Sequence, residues 1–216
     1  MLNHIRPAIV MIALFTGVLG VGYPLAVTGV AQAAFSDQAN GSLVRDKAGQ
    51  VVGSALVGQT FVAPGYLHPR PSAAGDGYDA AASSGSNLGP LNPDLIARVK
   101  TDADALQSEA GAKAIPADAV TASASGLDPH ISPAYAELQA ARIAKARGVG
   151  EGQVREVIRQ HVEGRTFGVL GQPRVNVLLT NQALDARLGL LTTEGGLRRR
   201  FSLRIRPRPP RESVGG

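Results

Sequence analysis

The residues best suited to chemistry lie in one polar segment, Val120 to Pro133, which reads VTASASGLDPHISP. It sets the carboxylate of Asp128 two residues from the imidazole of His130. Histidine changes charge near neutral pH, so this pair could serve acid–base catalysis or hold a metal ion. One glycine and two prolines restrict the backbone path. Because the segment is too polar and too rich in turn residues for a core, we expect it to be a working surface.

A hydrolytic triad is the first chemical alternative, since the segment contains Ser123, Ser125, Asp128 and His130. These side chains lie within eight residues, a spacing that does not easily align a nucleophile, a base and an orienting acid. The G-x-S-x-G motif of many hydrolases is also absent from the sequence. We therefore assign no catalytic residue and expect no independent catalysis.

Metal binding is the second alternative, through Asp128 with His130 or through His68 with Asp76 and Asp79. Neither group has the i, i+4 spacing or the facing-strand arrangement of common metal sites. The chain also has no cysteine, which removes thiolate ligands, thiolate nucleophiles and disulfides. We expect no metal site.

An uncharged N-terminal stretch indicates where this surface operates. No charged side chain occurs from Pro7 through Ser36, and almost all residues from Ala8 to Leu25 are apolar or glycine. About 20 helical residues span the roughly 30 Å core of a bilayer, so residues 1–36 are predicted to form one transmembrane anchor. A cleaved signal peptide is the alternative, because Ala31-Gln32-Ala33 resembles a cleavage site.

Flanking charges and small residues predict the orientation and packing of the anchor. Arg6 precedes the apolar stretch and Asp37 is the first charge after it, so we expect a cytoplasmic N-terminus and an extracytoplasmic domain. At 100° per residue, small residues gather within about 60° on one helix face, where a partner helix can approach closely. They are Ala13, Gly17, Gly20 and Pro24.

The excess positive charge belongs to the C-terminal tail. The formal net charge is +5, but residues up to Leu190 carry 15 lysines and arginines against 15 acidic residues. Residues 191–216 carry seven arginines against two glutamates and little apolar content, which predicts disorder. No nucleic-acid-binding motif accompanies this charge, so we expect no nucleic-acid partner.

Residues 37–190 have the patterns of a single α+β domain. Two short runs, Gly41 to Arg45 and Gln50 to Ser54, flank a turn and predict a hairpin. Further strands are predicted at Leu56 to Phe61, Arg165 to Leu170 and Arg174 to Asn181. Caps and apolar periodicity predict about three helices, which begin at Pro93, Pro133 and Glu151 and end before Gly111, at Arg147 and at His161. With strands at both ends and helices between them, we expect a mixed or antiparallel sheet.

Two polar segments resemble each other, SSGSNLGPLNP at residues 83–93 and SASGLDPHISP at residues 123–133. Each is rich in serine and glycine and ends in an N-cap residue followed by a proline that begins a helix. Two exposed helix starts would present free N–H groups to a partner. Convergent helix capping explains the similarity more simply than a true repeat.

Several ordered motifs carry a resemblance to a known family. They are TGVLGVGYPLAVTGVAQAAF, QANGSLV, GSALVGQTF, HPRPSAAGDGYDAAASSGSNLGPLNP, VTASASGLDPHISP and GQPRVNVLLTNQALD. In this order and spacing they resemble the C subunit of the bacterial Kdp potassium-transporting ATPase, from the N-terminus to about Asp185. Ser36 and Ala119 depart from the family pattern, and the tail after Arg187 extends past the usual end of the family.

The resemblance implies a small single-pass subunit of the bacterial inner membrane whose soluble domain is extracytoplasmic. The implied partners are a potassium-translocating subunit, a P-type ATPase subunit and the lipid bilayer. It also implies a role in assembly and as a catalytic chaperone that raises the ATP affinity of the ATPase subunit. No tightly bound cofactor is implied, although ATP could bind in the complex with the ATPase subunit.

One short motif in the sequence favours a direct contact with nucleotide. Val149-Gly150-Glu151-Gly152-Gln153 is similar to the LSGGQ signature of ABC transporters, which makes Gln153 a candidate contact. No Walker A loop exists in the sequence, and a glycine-rich helix start explains the same residues. An anchored binding or scaffolding domain without a nucleotide role is therefore the alternative function.

In either case we expect a docking surface on the extracytoplasmic domain. The expected contact residues are Arg70, Tyr78, Asn87, Ser125, Asp128 and His130. The segment from Val120 to Pro133 is thus predicted to serve assembly rather than chemistry.

Overall fold

The N-terminal anchor is one continuous helical rod in the computed structural model, which describes residues 4–111 and 114–189. Helix α1 (Ile5–Phe15), a π-helical stretch (Thr16–Gly22) and helix α2 (Tyr23–Ala34) follow one another without a break. Among the described residues, this rod is the one helix long and apolar enough to cross a bilayer, with a mean hydropathy of 2.0. The predicted tail, residues 191–216, lies outside the described residues.

The π-helical stretch changes which small residues face one another. In a π turn each N–H bonds five residues back rather than four, and the N–H of Tyr23 accordingly donates to the carbonyl of Val18. A Cβ on Gly22 would lie 3.5 Å from the carbonyl oxygen of Gly17. The predicted packing face depends on an unbroken 3.6-residue period, which the π-helical stretch interrupts. Contact of this face with a partner helix stays a prediction. That face comprised Ala13, Gly17, Gly20 and Pro24.

A short hairpin follows the anchor and confirms the first predicted pair of strands. Helix α3 (Ser36–Ala39) leads into β1 (Leu43–Arg45), which pairs antiparallel with β2 (Val51–Ser54). The carboxylate of Asp46 accepts the backbone N–H of Ala48 at 2.8 Å. An aspartate that bonds two residues ahead stabilises a turn locally, which is why the sequence predicts this hairpin.

Three short strands form the second sheet, in the spatial order β3 (His130–Ile131), β5 (Arg174–Asn176) and β4 (Val162–Glu163). Both pairings are antiparallel. The sheet therefore takes the antiparallel form of the predicted α+β fold, and it places the end of the polar segment beside β5.

Two predicted strands have other structures, and a third is shorter than predicted. Residues Leu56 to Phe61 form an irregular connection. Residues Arg165 to Leu170 form a tight turn with one isolated bridge between Thr166 and Leu170. The third prediction, Arg174 to Asn181, holds only as far as the end of β5, because the chain continues directly into helix α8 (Val177–Leu188).

The side chain of Asn176 causes this change from strand to helix. Its Oδ1 accepts the backbone N–H of Leu179 at 3.1 Å, and asparagine is among the strongest N-cap residues. The alternation of Val175, Val177 and Leu179 predicted one strand, but the cap between the first two residues begins a helix. Val177 is buried as a residue of this helix, so its place in the apolar alternation does not indicate a strand.

Capping residues also set the limits of the other helices. These are α4 (Pro93–Ala110), α5 (Pro133–Leu138), α6 (Ala140–Arg147) and α7 (Glu151–Gln160). Asn92 and Gly111 bound α4 as predicted, the glycine in a left-handed conformation. The predicted helix from Pro133 to Arg147 is interrupted at Gln139, which separates α5 from α6.

The hydrophobic core lies among α5, α6, α7, α8 and β5. Its largest fully buried apolar side chains are Leu67, Ile143, Val154, Ile158, Val175 and Leu184. Helix α4 adds partly buried side chains from one face, namely Val99, Ala103 and Leu106. The predicted apolar face of α7, with Val154, Val157 and Ile158, is buried.

An irregular segment, residues 55–92, forms neither a helix nor a strand, and its Leu67 is buried in this core. Buried backbone groups need hydrogen-bond partners, and here two side-chain amides supply them. Asn181 accepts the N–H of Leu67 at 2.7 Å and donates to its carbonyl at 3.0 Å. Gln139 makes the same two bonds to His68, at 2.7 and 3.1 Å. We call these four bonds the amide clamp.

Two arginines extend the clamp along the same segment. Arg142 donates to the carbonyls of Pro64 and Tyr66 at 2.6 and 3.1 Å. Arg147 donates to the carbonyl of Gly65 at 2.7 Å, and its guanidinium carbon lies 5.0 Å from the centre of the Tyr66 ring. Side chains from the helices thus replace the strand neighbours that the segment lacks.

Removal of one amide from the clamp is expected to destabilise the domain. Asn181→Ala should lower the free energy of unfolding by about 3 kcal/mol, because both backbone groups of Leu67 stay buried without partners. Urea unfolding of the full chain in detergent, followed by circular dichroism, measures the change. Gln107→Ala on the exposed surface of α4 is the control, with an expected change below about 0.5 kcal/mol. Equal losses in the two variants would contradict the clamp.

Candidate functional site

The segment from Val120 to Pro133 is held at both ends. A turn of 3-10 helix (Ala117–Ala119) precedes it, and β3 with the cap of α5 closes it. The N–H of Ser132 donates to Oδ2 of Asp118 at 2.6 Å, and the Oγ of Ser132 accepts the N–H of Tyr135 at 3.0 Å. The polar segment is therefore fixed between the core helices and the second sheet.

Asp128 is the electrostatic centre of the segment. Its Oδ2 lies 2.9 Å from Nη1 of Arg70, and its Oδ1 accepts the backbone N–H of His130 at 2.9 Å. Nδ1 of His130 lies 3.5 Å from the same Oδ1. Burial alone would raise the pKa of Asp128, but the hydrogen bonds from His130 and the charge of Arg70 outweigh burial and lower it. The carboxylate is thus an ionised structural partner.

A second polar segment, residues 70–87, wraps around this ion pair. The hydroxyl of Tyr78 donates to the carbonyl of Arg70, and the backbone N–H of Tyr78 donates to Oγ of Ser72 at 2.8 Å. Ser72 in turn donates to the carbonyl of Gly126 at 2.6 Å. Burial, more than any other cause, raises the pKa of the Tyr78 hydroxyl, so this group stays a donor at neutral pH.

The two similar segments of the sequence are in contact in the fold. The carbonyl of Ser125 accepts the N–H of Ser84 at 3.0 Å and the hydroxyl of Ser83 at 2.9 Å. Gly126, with φ of 68°, lies where the segments approach closely, and a Cβ there would stand 2.6 Å from the nitrogen of Ala74. Only glycine fits at this contact.

Four of the six predicted contact residues are joined by hydrogen bonds: Arg70, Tyr78, Asp128 and His130. Ser125 makes a separate bond between the same two loops, to Ser83. Asn87 lies beyond the network, exposed and with φ of 52°. We call residues 70–87 together with residues 120–131 the paired-loop surface. The geometry brings these residues together, and their contact with a partner stays a prediction.

Two residues that shape the paired-loop surface were not predicted. Gly58 donates its N–H to the carbonyl of Leu127 at 2.7 Å, and a Cβ there would lie 2.7 Å from the carbonyl oxygen of Asp128. Ser72 joins the two loops as described above. Glycine and serine are common in irregular segments, so neither residue carried a signal in the sequence.

The arrangement leaves no free acid–base pair at Asp128, because both of its oxygens are occupied. Oγ of Ser125 accepts a backbone N–H of its own loop at 3.1 Å. Within residues 4–111 and 114–189, no three histidine, aspartate or glutamate side chains form a group that could hold a metal. His68 bonds instead to the carbonyl of Ala63 at 3.2 Å, and burial, then the charge of Arg142, lowers its pKa.

Gln153 lies apart from this network, in the first turn of α7. Its Oε1 accepts the N–H of Gly150 at 3.2 Å, so the side chain caps its own helix. Glu151 beside it bonds to Arg155 at 3.0 Å. A carboxylate at the helix start disfavours a phosphate there, because like charges repel.

These features define a class of protein: an α+β domain that follows one apolar N-terminal helix and carries a hydrogen-bonded polar surface. The family model described as KdpC, K+-transporting ATPase, c chain, matches residues 5–186. The chain therefore belongs to the KdpC family and is a membrane-associated component of a potassium uptake complex.

Individual relatives agree over most of their length. The potassium-transporting ATPase KdpC subunit of Caulobacter sp. (strain K31) is 64% identical over 196 residues, 91% of this chain and 100% of the relative. The subunit of Beijerinckia indica subsp. indica is 59% identical over 87% of this chain and 95% of the relative. That of Myxococcus xanthus is 58% identical, with 88% and 89% covered.

The stability of the chain is expected to depend on ionised Asp128. Because its folded pKa lies below its unfolded value of about 3.9, the carboxylate stabilises the fold fully above that value. The contribution is lost as the pH falls through the folded pKa. Thermal unfolding of wild type and Asp128→Asn at about pH 7 and about pH 3 measures it. The difference in Tm should shrink at the lower pH, and an unchanged difference would contradict the assignment.

Proposed function

We propose that this chain is the single-pass accessory subunit that stabilises the assembly of an ATP-driven, high-affinity potassium uptake complex. The observation that carries the proposal is the paired-loop surface, in which the Arg70–Asp128 ion pair and the bonds of Ser72 and Ser83 join two polar loops. Loops held this way lose little conformational freedom on binding, which favours docking.

The proposed partners are a potassium-translocating subunit, a P-type ATPase subunit and the lipid bilayer around the N-terminal helix. The paired-loop surface contacts the outer face of the translocating subunit. Ala124 and Ser125 are exposed on the rim of this surface, where they are accessible to such a partner. The relatives are each named as subunits of a potassium-transporting ATPase, which supports partners of this kind.

The effect on ATP is proposed to be indirect. As a catalytic chaperone, the subunit raises the ATP affinity of the ATPase subunit through coupling between sites, which needs no contact between nucleotide and effector. ATP then binds within the ATPase subunit, and this chain holds no cofactor tightly.

A scaffolding role without any effect on nucleotide binding is the second candidate. The helix start at Gln153 favours it over direct contact, because this side chain already caps α7 and Glu151 places negative charge beside it. Direct ATP binding at this helix start is the least supported of the three roles.

A charged side chain on the rim of the paired-loop surface is expected to weaken assembly. Ala124→Arg should reduce co-purification of the chain with a tagged ATPase subunit about tenfold, as the loss of one strong interface contact does. Potassium uptake by cells should fall with it. Asp128→Ala should also weaken assembly, while the chain stays folded with lower stability.

The matched control is Ala141→Arg, which adds the same side chain at an exposed position of α6. It is expected to assemble and to support uptake normally. If Ala124→Arg and Asp128→Ala both co-purify and transport as wild type does, the paired-loop surface is not part of the interface.

The soluble domain is expected to lie outside the cytoplasm. Arg6 precedes the apolar helix and Asp37 follows it, an arrangement that keeps the N-terminus inside. Alkaline phosphatase fused after Asp185 should be active, and a fluorescent protein that folds only in the cytoplasm should be dark at the same site. Mass spectrometry of the same sample gives the mature N-terminus. The reverse pattern would contradict this orientation and would return direct contact with ATP to the candidate functions.

A further inference from the structure

The turn between β4 and β5 carries an exposed apolar tip, residues Thr166 to Leu170. Phe167, Val169 and Leu170 are 89%, 72% and 59% exposed. Single exposed apolar side chains are common, but a contiguous group of large ones usually marks a contact site. The tip lies outside the residues of the paired-loop surface, so the role of that surface does not explain it.

The backbone of the tip holds Phe167 in a costly conformation. The φ angles are 55° at Phe167 and 76° at Gly168. The left-handed region suits glycine, but it costs a bulky residue roughly 1–3 kcal/mol. Backbone strain of this kind clusters at active sites, ligand clamps and switch regions, where the surrounding structure has a reason to retain it. Here the strained residue is also the one whose aromatic ring is exposed to solvent.

Backbone groups of the tip also form hydrogen bonds with one another. Thr166 and Leu170 exchange bonds of 2.9 and 3.0 Å, and Gly168 donates to the carbonyl of Arg165 at 3.0 Å. Arg165 at the base bonds to Gln172 at 3.0 Å. A turn with paired polar groups can enter an apolar pocket without the penalty of unpaired backbone groups.

We propose that this tip inserts into an apolar pocket on a neighbouring subunit of the same potassium-transporting ATPase, with Phe167 as its anchor. The proposal rests on the proposed function, because it requires that the chain is assembled with partner subunits. Aromatic side chains in pockets are frequent anchors of protein interfaces. A preformed backbone lowers the ordering cost of such a contact.

The available area argues against a free second copy of the chain as the occupant. Three side chains of this size offer about 400 Å², roughly half of the ~800 Å² per partner that a stable free-standing interface buries. The tip therefore needs another linkage that already holds the two proteins together. A shared membrane complex supplies that linkage by raising the effective concentration.

Rigidity and charge argue against lipid as the occupant. A fluid acyl layer accepts an apolar side chain in any conformation and gives no reason to retain strain at Phe167. Interfacial anchors usually combine tryptophan, phenylalanine or leucine with clustered lysines and arginines, and the aromatic belts at the interface are rich in tryptophan and tyrosine. The tip has no tryptophan or tyrosine, and the two nearby arginines bond within the protein: Arg165 to Gln172 at 3.0 Å and Arg174 to Glu163 at 2.9 Å. A shaped protein pocket fits these observations better.

Phe167→Asn tests the anchor with little risk to folding, because asparagine tolerates positive φ and removes the ring. In complexes prepared from the full chain and its partner subunits, about tenfold less variant should remain after a detergent wash. Val62→Asn, at another apolar position that is 78% exposed, should be retained as wild type is. Equal retention of Phe167→Asn and wild type would overturn the proposal.

Two probes at position 167 identify the occupant. Benzoylphenylalanine placed there in the assembled complex should cross-link to another protein subunit, and cross-links to lipid alone would overturn the proposal. The chain has no tryptophan, so Phe167→Trp in the chain alone, in vesicles of brominated phosphatidylcholine, reports on the bilayer. Unquenched, solvent-like emission supports a protein pocket, whereas strong quenching would overturn it in favour of a membrane anchor.

The outcomes also separate this proposal from the proposed function. Ala124→Arg alters the paired-loop surface and leaves the tip intact. If that variant loses assembly while Phe167→Asn does not, only the proposal for the tip is overturned. If the wild-type chain itself does not co-purify with the partner subunits, both are overturned.

Discussion

The buried backbone of an irregular segment is the constraint on which this domain depends. Leu67 and His68 lie against the core without a strand beside them, and their four polar groups are paired by Asn181 and Gln139. Each unpaired group would cost about 1–3 kcal/mol, a large fraction of the 5–15 kcal/mol that stabilises a typical domain. Because Asn181 lies on α8 and Gln139 between α5 and α6, the segment and the helices must be placed together.

The rigidity of the paired-loop surface follows from the same constraint. Arg70 lies two residues after the amide clamp, so its guanidinium reaches Asp128 from a fixed backbone. The carbonyl of Pro129, next to Asp128, accepts the N–H of Val177 at 2.9 Å, which attaches the other loop to the start of α8. A carboxylate used in this way orders a surface and is not available as a catalytic base. The polar residues therefore hold the two loops in place, which is the basis of the docking role proposed for them.

Local signals predicted much of the fold, and their failures have identifiable causes. The cap at Asn92 and the glycine at Gly111 gave the limits of α4 correctly, because both act within a few residues of the helix end. Asn176 is an equally strong cap, yet the alternation around it favoured a longer strand. At Gln139 the helix is interrupted, and the side chain there pairs with His68, which lies 71 residues away in the sequence. The apolar run from Arg165 to Leu170 was predicted as a strand, but it forms an exposed turn.

The sequence by itself determined the apolar anchor, most helix starts, the polar loops and the family, because these depend on composition and on residues close together in the chain. Only the tertiary structure decided which polar groups meet. Arg70 and Asp128 are 58 residues apart, and Leu67 and Asn181 are 114 apart. Contacts over such separations depend on how packed elements bring distant segments together, and no local spacing encodes that. The residues of the paired-loop surface were therefore predictable one by one, but the bonds that join its two loops were not.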